Sequence, residues 1–392
     1  MPSWSATPLA SEQSSRKQAG RVAATLCCLF AGLAPLQADE LTENFNAAYS
    51  AYQQLSAQGD FPASLEHARS AYESGLQLFA DEPETLAYLG YNYAANLLMV
   101  GRATEAEIAL ETTVEIYELA FGEEAEELIR VLMDLGTASA TRPDSGRSRK
   151  AYKRAFKLAK THYGKESIDY AKLLTEAAVV LLDDRSETTR RARAFRQLSA
   201  GAYLDDAFRI VEPVATSNPA LFGQITFHIG ASALAWGSYE RAVHWLQISL
   251  STHPDPNRPQ NAIETATHAW LVRAYEELEM QDEATRHCQA VGRMAPARDN
   301  QNYQPLFQVE ANMPPGPAIL TRKGAVVVEF TVDSEGIVQN PRVLEELGDR
   351  GFAQAALYAI GQFRYAPRFE NGLAVDTHGV RHRFSFAYDA PN

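Results

Sequence analysis

Before anything else, an internal repeat limits what this chain can fold into. Phe121-Gly122 aligns with Tyr163-Gly164, and the neighbouring apolar positions keep step. Ala109 falls on Ala151, Leu128 on Tyr170 and Leu132 on Leu174, always 42 residues apart. Pro83 and Leu86 open a matching segment one period earlier. Each period carries apolar residues at i, i+3, i+4 and i+7 in two runs, which predicts two amphipathic helices, over 84–100 and 103–120 in the first period. A repeated helical pair cannot bury its own apolar face, so neighbouring pairs must stack.

Further along, the period shortens to about 34 residues. Gly230, Gly237, Tyr239, Ala242 and Pro254 take a spacing that Leu271, Tyr275, Ala284 and Pro296 repeat in part. Small residues such as Gly230 and Ala242 let paired helices approach, while Tyr239 and Tyr275 fill the adjoining groove. Proline then stops the second helix, because it has no N–H to donate. This spacing resembles the tetratricopeptide (TPR) pattern. Residues 43–79 fit it loosely, with Gly59 at the turn, and 186–218 fit worst, broken by Pro213. Five to six hairpins are expected across 41–296, stacked into a superhelix whose concave surface would take a peptide or protein segment. Tyr88, Tyr91 and Tyr93 read as groove-filling core rather than a recognition ladder.

Length and charge fit this picture. The 392 residues suffice for two or three domains, and 46% hydrophobic with 22% charged residues is ordinary for a globular protein. The net charge is −13. From Ile319 onward eight Arg/Lys face nine Asp/Glu, so the acidity belongs to the helical part and argues against nucleic acid or anionic lipid as main partner. At the N-terminus Arg16, Lys17 and Arg21 precede an apolar run over 22–36, then Leu36-Gln37-Ala38. That run falls short of the roughly 20 residues a membrane helix needs, and predicts a secretory signal over 1–38 cleaved after Ala38. An uncleaved inner-membrane anchor facing the periplasm is the alternative. Cys27 and Cys28 lack the preceding small residue that lipidation requires. Cleavage would leave Cys288 alone, read as a small buried helix residue with no disulfide.

Residues 298–317, rich in Asn and Pro, read as a linker. Beyond it the hydrophobic period changes from 3.6 to 2. Residues 325–332 (AVVVEFTV) suit a strand, Asp333-Ser334-Glu335-Gly336 a turn, and 337–344 a second strand. Phe352, Ala355, Ala356, Ala359 and Ile360 fall at helical spacing, and a final strand is expected over 373–386. The expected fold is therefore an α-helical TPR solenoid over 39–297 and a small α+β domain of order β-β-α-β over 318–392.

The small domain resembles the TonB C-terminal domain. Phe330-Thr331-Val332-Asp333 with Gly336, Val338 and Val343 is similar to that family's opening hairpin. Ala355-Ala356-Leu357 leads to Phe363-Arg364-Tyr365-Ala366-Pro367, similar to its helix exit and aromatic–proline motif, and Asn371-Gly372 and Val375 precede the last strand. The resemblance implies a periplasmic energy-transducer domain that pairs with an extended peptide from an outer-membrane transporter by adding a strand to a sheet edge. Carried onto this chain, the candidate edge holds Leu373, Val375, Thr377, Val380 and Phe384, with Arg364, Tyr365 and Pro367 shaping its approach. The family's membrane helix with a Ser/His face and its long proline-rich spacer have no counterpart: no histidine lies between Met1 and Ala38. An adaptor serving TonB-dependent transport is therefore expected, with an unidentified protein ligand at the TPR groove and membrane contact only through partners or an uncleaved N-terminus. An envelope scaffold without a transport role is the alternative.

No phosphate-binding loop, Gly-x-Ser-x-Gly elbow or His-Glu-x-x-His motif occurs, so neither an enzyme nor a cofactor is expected. His378 and His382 would lie about 13 Å apart on a strand, too far to share a metal. His244 and His287 sit on expected helices without a ligand set, and Asp183-Asp184 reads as a solvated helix end.

Overall fold

The computed structural model describes residues 34–141, 146–183, 190–252, 262–294, 303–312, 322–348 and 351–388. Most of the expected signal, Asp184, Pro254, Pro296 and residues 298–302 and 313–317 of the expected linker lie outside them. A mostly helical N-terminal region precedes a small C-terminal sheet domain. The helices are α1 (Ala34–Ala57), α2 (Phe61–Leu78), α3 (Pro83–Met99), α4 (Ala103–Phe121), α5 (Leu128–Ala140) and α6 (Gly146–His162). They continue as α7 (Ile168–Leu182), α8 (Arg190–Val211), α9 (Pro219–Ala235), α10 (Tyr239–Ser251), α11 (Ala262–Glu277) and α12 (Gln281–Met294).

Successive helices pair as six hairpins among the described residues, from α1·α2 to α11·α12. From α3 onward each odd-numbered helix also touches the next odd one, whereas adjacent even ones stand farther apart. The odd helices therefore line the inner side of the stack. Residues 186–218 do not form a unit of their own. They supply α8, which closes the hairpin opened by α7, and a 3-10 turn (Glu212–Ser217) with Pro213 in its first turn.

The aligned glycines have a local cause. Gly122 (φ 93°) ends α4 and Gly164 (φ 90°) follows α6, both in backbone that a side chain disfavours. Three residues after Gly164, Ser167 caps α7 by accepting the Tyr170 N–H at 3.1 Å. Close packing also demands Gly230, where a Cβ would meet Leu246 Cγ at 2.7 Å.

Two apolar clusters fill the array. One runs from Leu65 through Tyr152 to Ile229, the other from Phe227 through Leu246 to Ala284. On the inner side a polar ladder links three odd helices. Tyr91 donates to Asp134 at 2.7 Å, Arg130 binds Asp134, and Arg130 reaches Glu176 at 2.8 Å. Outside, long side chains span the wider gap between α4 and α6: Arg147 lies 3.2 Å from Glu111, and Arg154 pairs with Glu118.

The C-terminal domain comprises β1 (Arg322–Val332), β2 (Val338–Leu347), α13 (Gly351–Ile360), β3 (Arg368–Glu370), β4 (Leu373–Val375) and β5 (Thr377–Tyr388). Antiparallel strands order β2-β1-β5, and α13 covers the face bearing Val326, Val328 and Phe330. The single final strand expected over 373–386 is split. Asn371 (φ 50°) and Gly372 (φ 80°) both take left-handed backbone, so β4 folds back onto β3 in a separate hairpin. The order is β-β-α followed by that hairpin and β5. Part of the expected linker also belongs to this domain. Tyr303 is buried with its ring 5.8 Å from that of Tyr365, and Leu306 donates to the Arg364 carbonyl at 2.7 Å.

Candidate protein-interaction site

A strand-addition site needs a free, regular sheet edge, and the domain has two edges of different quality. β2 is irregular. Its register with β1 shifts twice, Asn340 sits at φ 51°, and Pro341 has no N–H to offer. These devices blunt an edge against pairing. β5 contains no proline and pairs with β1 one for one from Arg322↔Tyr388 to Phe330↔Val380, shifting only beyond Phe330. Among the described residues no strand lies on its other side.

Alternation divides β5 into two faces. Val380, Phe384 and Phe386 point into the core with His382 between them, its ring 5.2 Å from Phe363 and 4.8 Å from Phe384. Burial pushes the His382 imidazole below its ordinary pKa. Arg381, Arg383 and Ser385 lie on the exposed outer face. There Glu329 of β1 accepts from Arg342 at 3.0 Å and from Arg381 at 3.1 Å. Hydrogen bonding from Arg342, joined by Arg381, holds its carboxylate below the usual range.

The eight residues expected at the site fall in three places. Thr377, Val380 and Phe384 belong to β5, but their side chains are buried, so they could offer a ligand only backbone. Leu373 and Val375 lie on β4 and pair with β3. Arg364 and Pro367 are buried in a joint against the last helical hairpin, and the Tyr365 ring is buried in the domain's own core against Tyr303, Phe330 and Phe363.

That joint is closely built. Arg364 Nε meets Glu276 Oε1 of α11 at 2.6 Å, with the two side chains only 6% and 11% exposed. Gly292 of α12 abuts the Pro367 carbonyl so closely that a Cβ would collide with it. Gly336 (φ 84°) accepts the Tyr365 N–H at 2.9 Å and packs on Cys288. Gln289 donates to the Ser334 carbonyl at 3.2 Å, and the Arg293 guanidinium lies 5.3 Å from the Phe369 ring centroid. Burial pushes the Cys288 thiol up to about 12, which leaves it unreactive.

Beside the joint, His268 and His287 share a 2.7 Å contact between Nδ1 atoms, and Tyr275 stacks on His287. Burial, with His268 and Arg286 adding to it, lowers His287 to about 4. His378 and His382 both lie on β5, and no group of three or more metal-ligating side chains occurs among the described residues. Sequence reasoning missed Glu276 altogether. Gly292 carried the available signal, since glycine inside a helix marks close approach of another backbone.

Residues 317–387 match the family model described as Gram-negative bacterial TonB protein C-terminal. No curated protein matches the chain. Among solved structures, BtubC (BKLC) from P. vanneervenii aligns at 14% identity and a TM-score of 0.46, covering 66% of this chain and 96% of that one. The assembly chaperone of RpL4 (Acl4) aligns at 16% identity and a TM-score of 0.43, covering 63% and 89%. Likenesses at these scores carry no weight for fold or function.

Proposed function

We propose that this chain is a periplasmic adaptor of the TonB type, whose C-terminal domain takes an extended peptide of an outer-membrane transporter as an additional strand along β5. The regular stretch of β5 from Val380 to Tyr388, which follows the left-handed Gly379, set against the blunted edge of β2, is the observation that carries the reading. Backbone pairing suits it, because the inward side chains of β5 are committed to the core and the outward ones are solvated. The TonB-family match supports a role in envelope transport. The helical hairpins, read as TPR-type repeats, would mount this edge and present a second, inner surface to another protein. No described helix is long and apolar enough to cross a membrane, which is compatible with an exported protein after signal cleavage.

The joint favours one alternative to a transport role, an envelope scaffold in which the domain simply caps the array. Backbone chemistry separates the two. Extended peptides taken from the periplasmic ends of transporters should bind the full-length chain. N-methylation at alternate peptide positions should abolish binding in one parity and spare it in the other, because only every second N–H of a strand faces its neighbour. Equal loss or equal retention in both parities, read by fluorescence anisotropy, would sink strand addition.

A further inference from the structure

We propose that the strand received by β5 is acidic on its outward face, with carboxylates two residues apart and an apolar residue between them. This rests on the strand-addition reading and specifies the ligand class. Between Thr377 and Tyr388 the strand has no Asp or Glu, yet it carries Arg381 and Arg383 on its outer face, two residues apart. The surrounding charge does not neutralise them. Arg381 shares its carboxylate, Glu329, with Arg342, so that row of three holds one excess positive charge. Arg383 lies opposite Val327 on β1, and Glu345 of β2 is one strand farther, opposite Val327 on its other side. Two strand spacings, roughly 10 Å, separate Glu345 from Arg383, about one Debye length at physiological salt.

This basic pair stands out in a chain of net charge −13. Directly opposed side chains on an added strand would sit about 5 Å from Arg381 and Arg383 at the Cβ atoms. Glu or Asp fits there, and Lys or Arg is repelled. On the other face the added strand runs beside His382, Phe384 and Phe386, which favour an apolar residue. The same pair disfavours a second copy of this chain as occupant, because two β5 strands side by side would oppose arginine to arginine. Charge thus guards an edge that has neither proline nor a bulge over most of its length.

The test uses the full-length chain and one peptide backbone carrying Glu, Gln or Lys at the two outward positions, with anisotropy read at low and moderate salt. Glu should bind more tightly than Gln by roughly 1.5- to 5-fold per position, Lys more weakly than either, and salt should compress the difference. Arg383→Gln should roughly halve the preference and Arg383→Glu should cancel it, because the row of Arg381, Arg342 and Glu329 keeps its excess positive charge. Circular dichroism would verify that these exposed substitutions leave the fold unchanged. Equal binding of all three peptides, or a preference for Lys, overturns the charge assignment while leaving strand addition intact. Absence of binding by every peptide overturns both. Stronger binding to anionic phospholipid vesicles than to the Glu peptide, lost in Arg383→Glu, would reassign the pair to a lipid surface.

Discussion

The C-terminal domain faces outward through two regions that work by different chemistry. At the joint, specific side chains carry the contact: Arg364 on Glu276, Pro367 against Gly292, Arg293 over Phe369. At β5 the side chains turn into the core or into solvent, and the main chain is what remains on offer. The difference teaches where identity matters. Residues 363–369 can be read by a particular partner, and here the partner is the chain's own last hairpin. An edge strand is read by any extended segment whose flanking groups fit. The aromatic–proline motif does not by itself say which of the two surfaces it serves.

The largest expected effect breaks the joint. Arg364→Ala strands a nearly buried Glu276 carboxylate, and losing one partner of such a pair costs about 3–5 kcal/mol. Thermal unfolding should fall accordingly, with hydrogen exchange rising first in α11, α12 and residues 303–307. Protection unchanged there would show that the ion pair is not what holds the domain on.

Acid should destabilise the helical array by a smaller amount. The folded value of His287, about 4, lies below its unfolded value, and so does that of His228, which burial also lowers to about 4. Between the two values the unfolded chain binds more protons, so stability is full above about pH 6.5 and is lost as pH falls toward 4. Each histidine should contribute of order 2 kcal/mol at most, once solvent screening is allowed for. Denaturant midpoints at pH 7.5 and 5 would reveal it, and His287→Phe should remove part of the slope. A flat profile would contradict the burial of these rings.

The smallest effect sharpens the contrast. The Tyr365 hydroxyl is buried without a hydrogen-bond partner among the described residues, so Tyr365→Phe should change stability by less than about 1 kcal/mol, with stabilisation the favoured sign. Peptide affinity at β5 should not move, since the Tyr365 ring is buried in the domain core. A loss of affinity would return that side chain to the binding surface.

Much of this was legible in the sequence, for physical reasons that also mark where reading stops. The 42-residue offset located the hairpins because glycine ends after Phe121 and Tyr163 answer to backbone geometry. Residues 186–218 resisted because they hold only the second helix of a hairpin and a turn. Asn371-Gly372 was visible as punctuation, but that it closes a hairpin of its own, detaching Leu373 and Val375 from β5, depends on which strand pairs with which. The meeting of Glu276 and Arg364, 88 positions apart, leaves no periodic trace. Which sheet edge stays open is likewise a property of the strand order.

The one-for-one register between β1 and β5, from Arg322↔Tyr388 to Phe330↔Val380, has a mechanical consequence. Antiparallel hydrogen bonds lie across the strands, so a pull directed along β5 loads the whole row in shear instead of opening it bond by bond. The bonds to β1 would then yield together, at a higher force than a peeling pull requires. A tether laid along that strand would be held best against tension in its own direction.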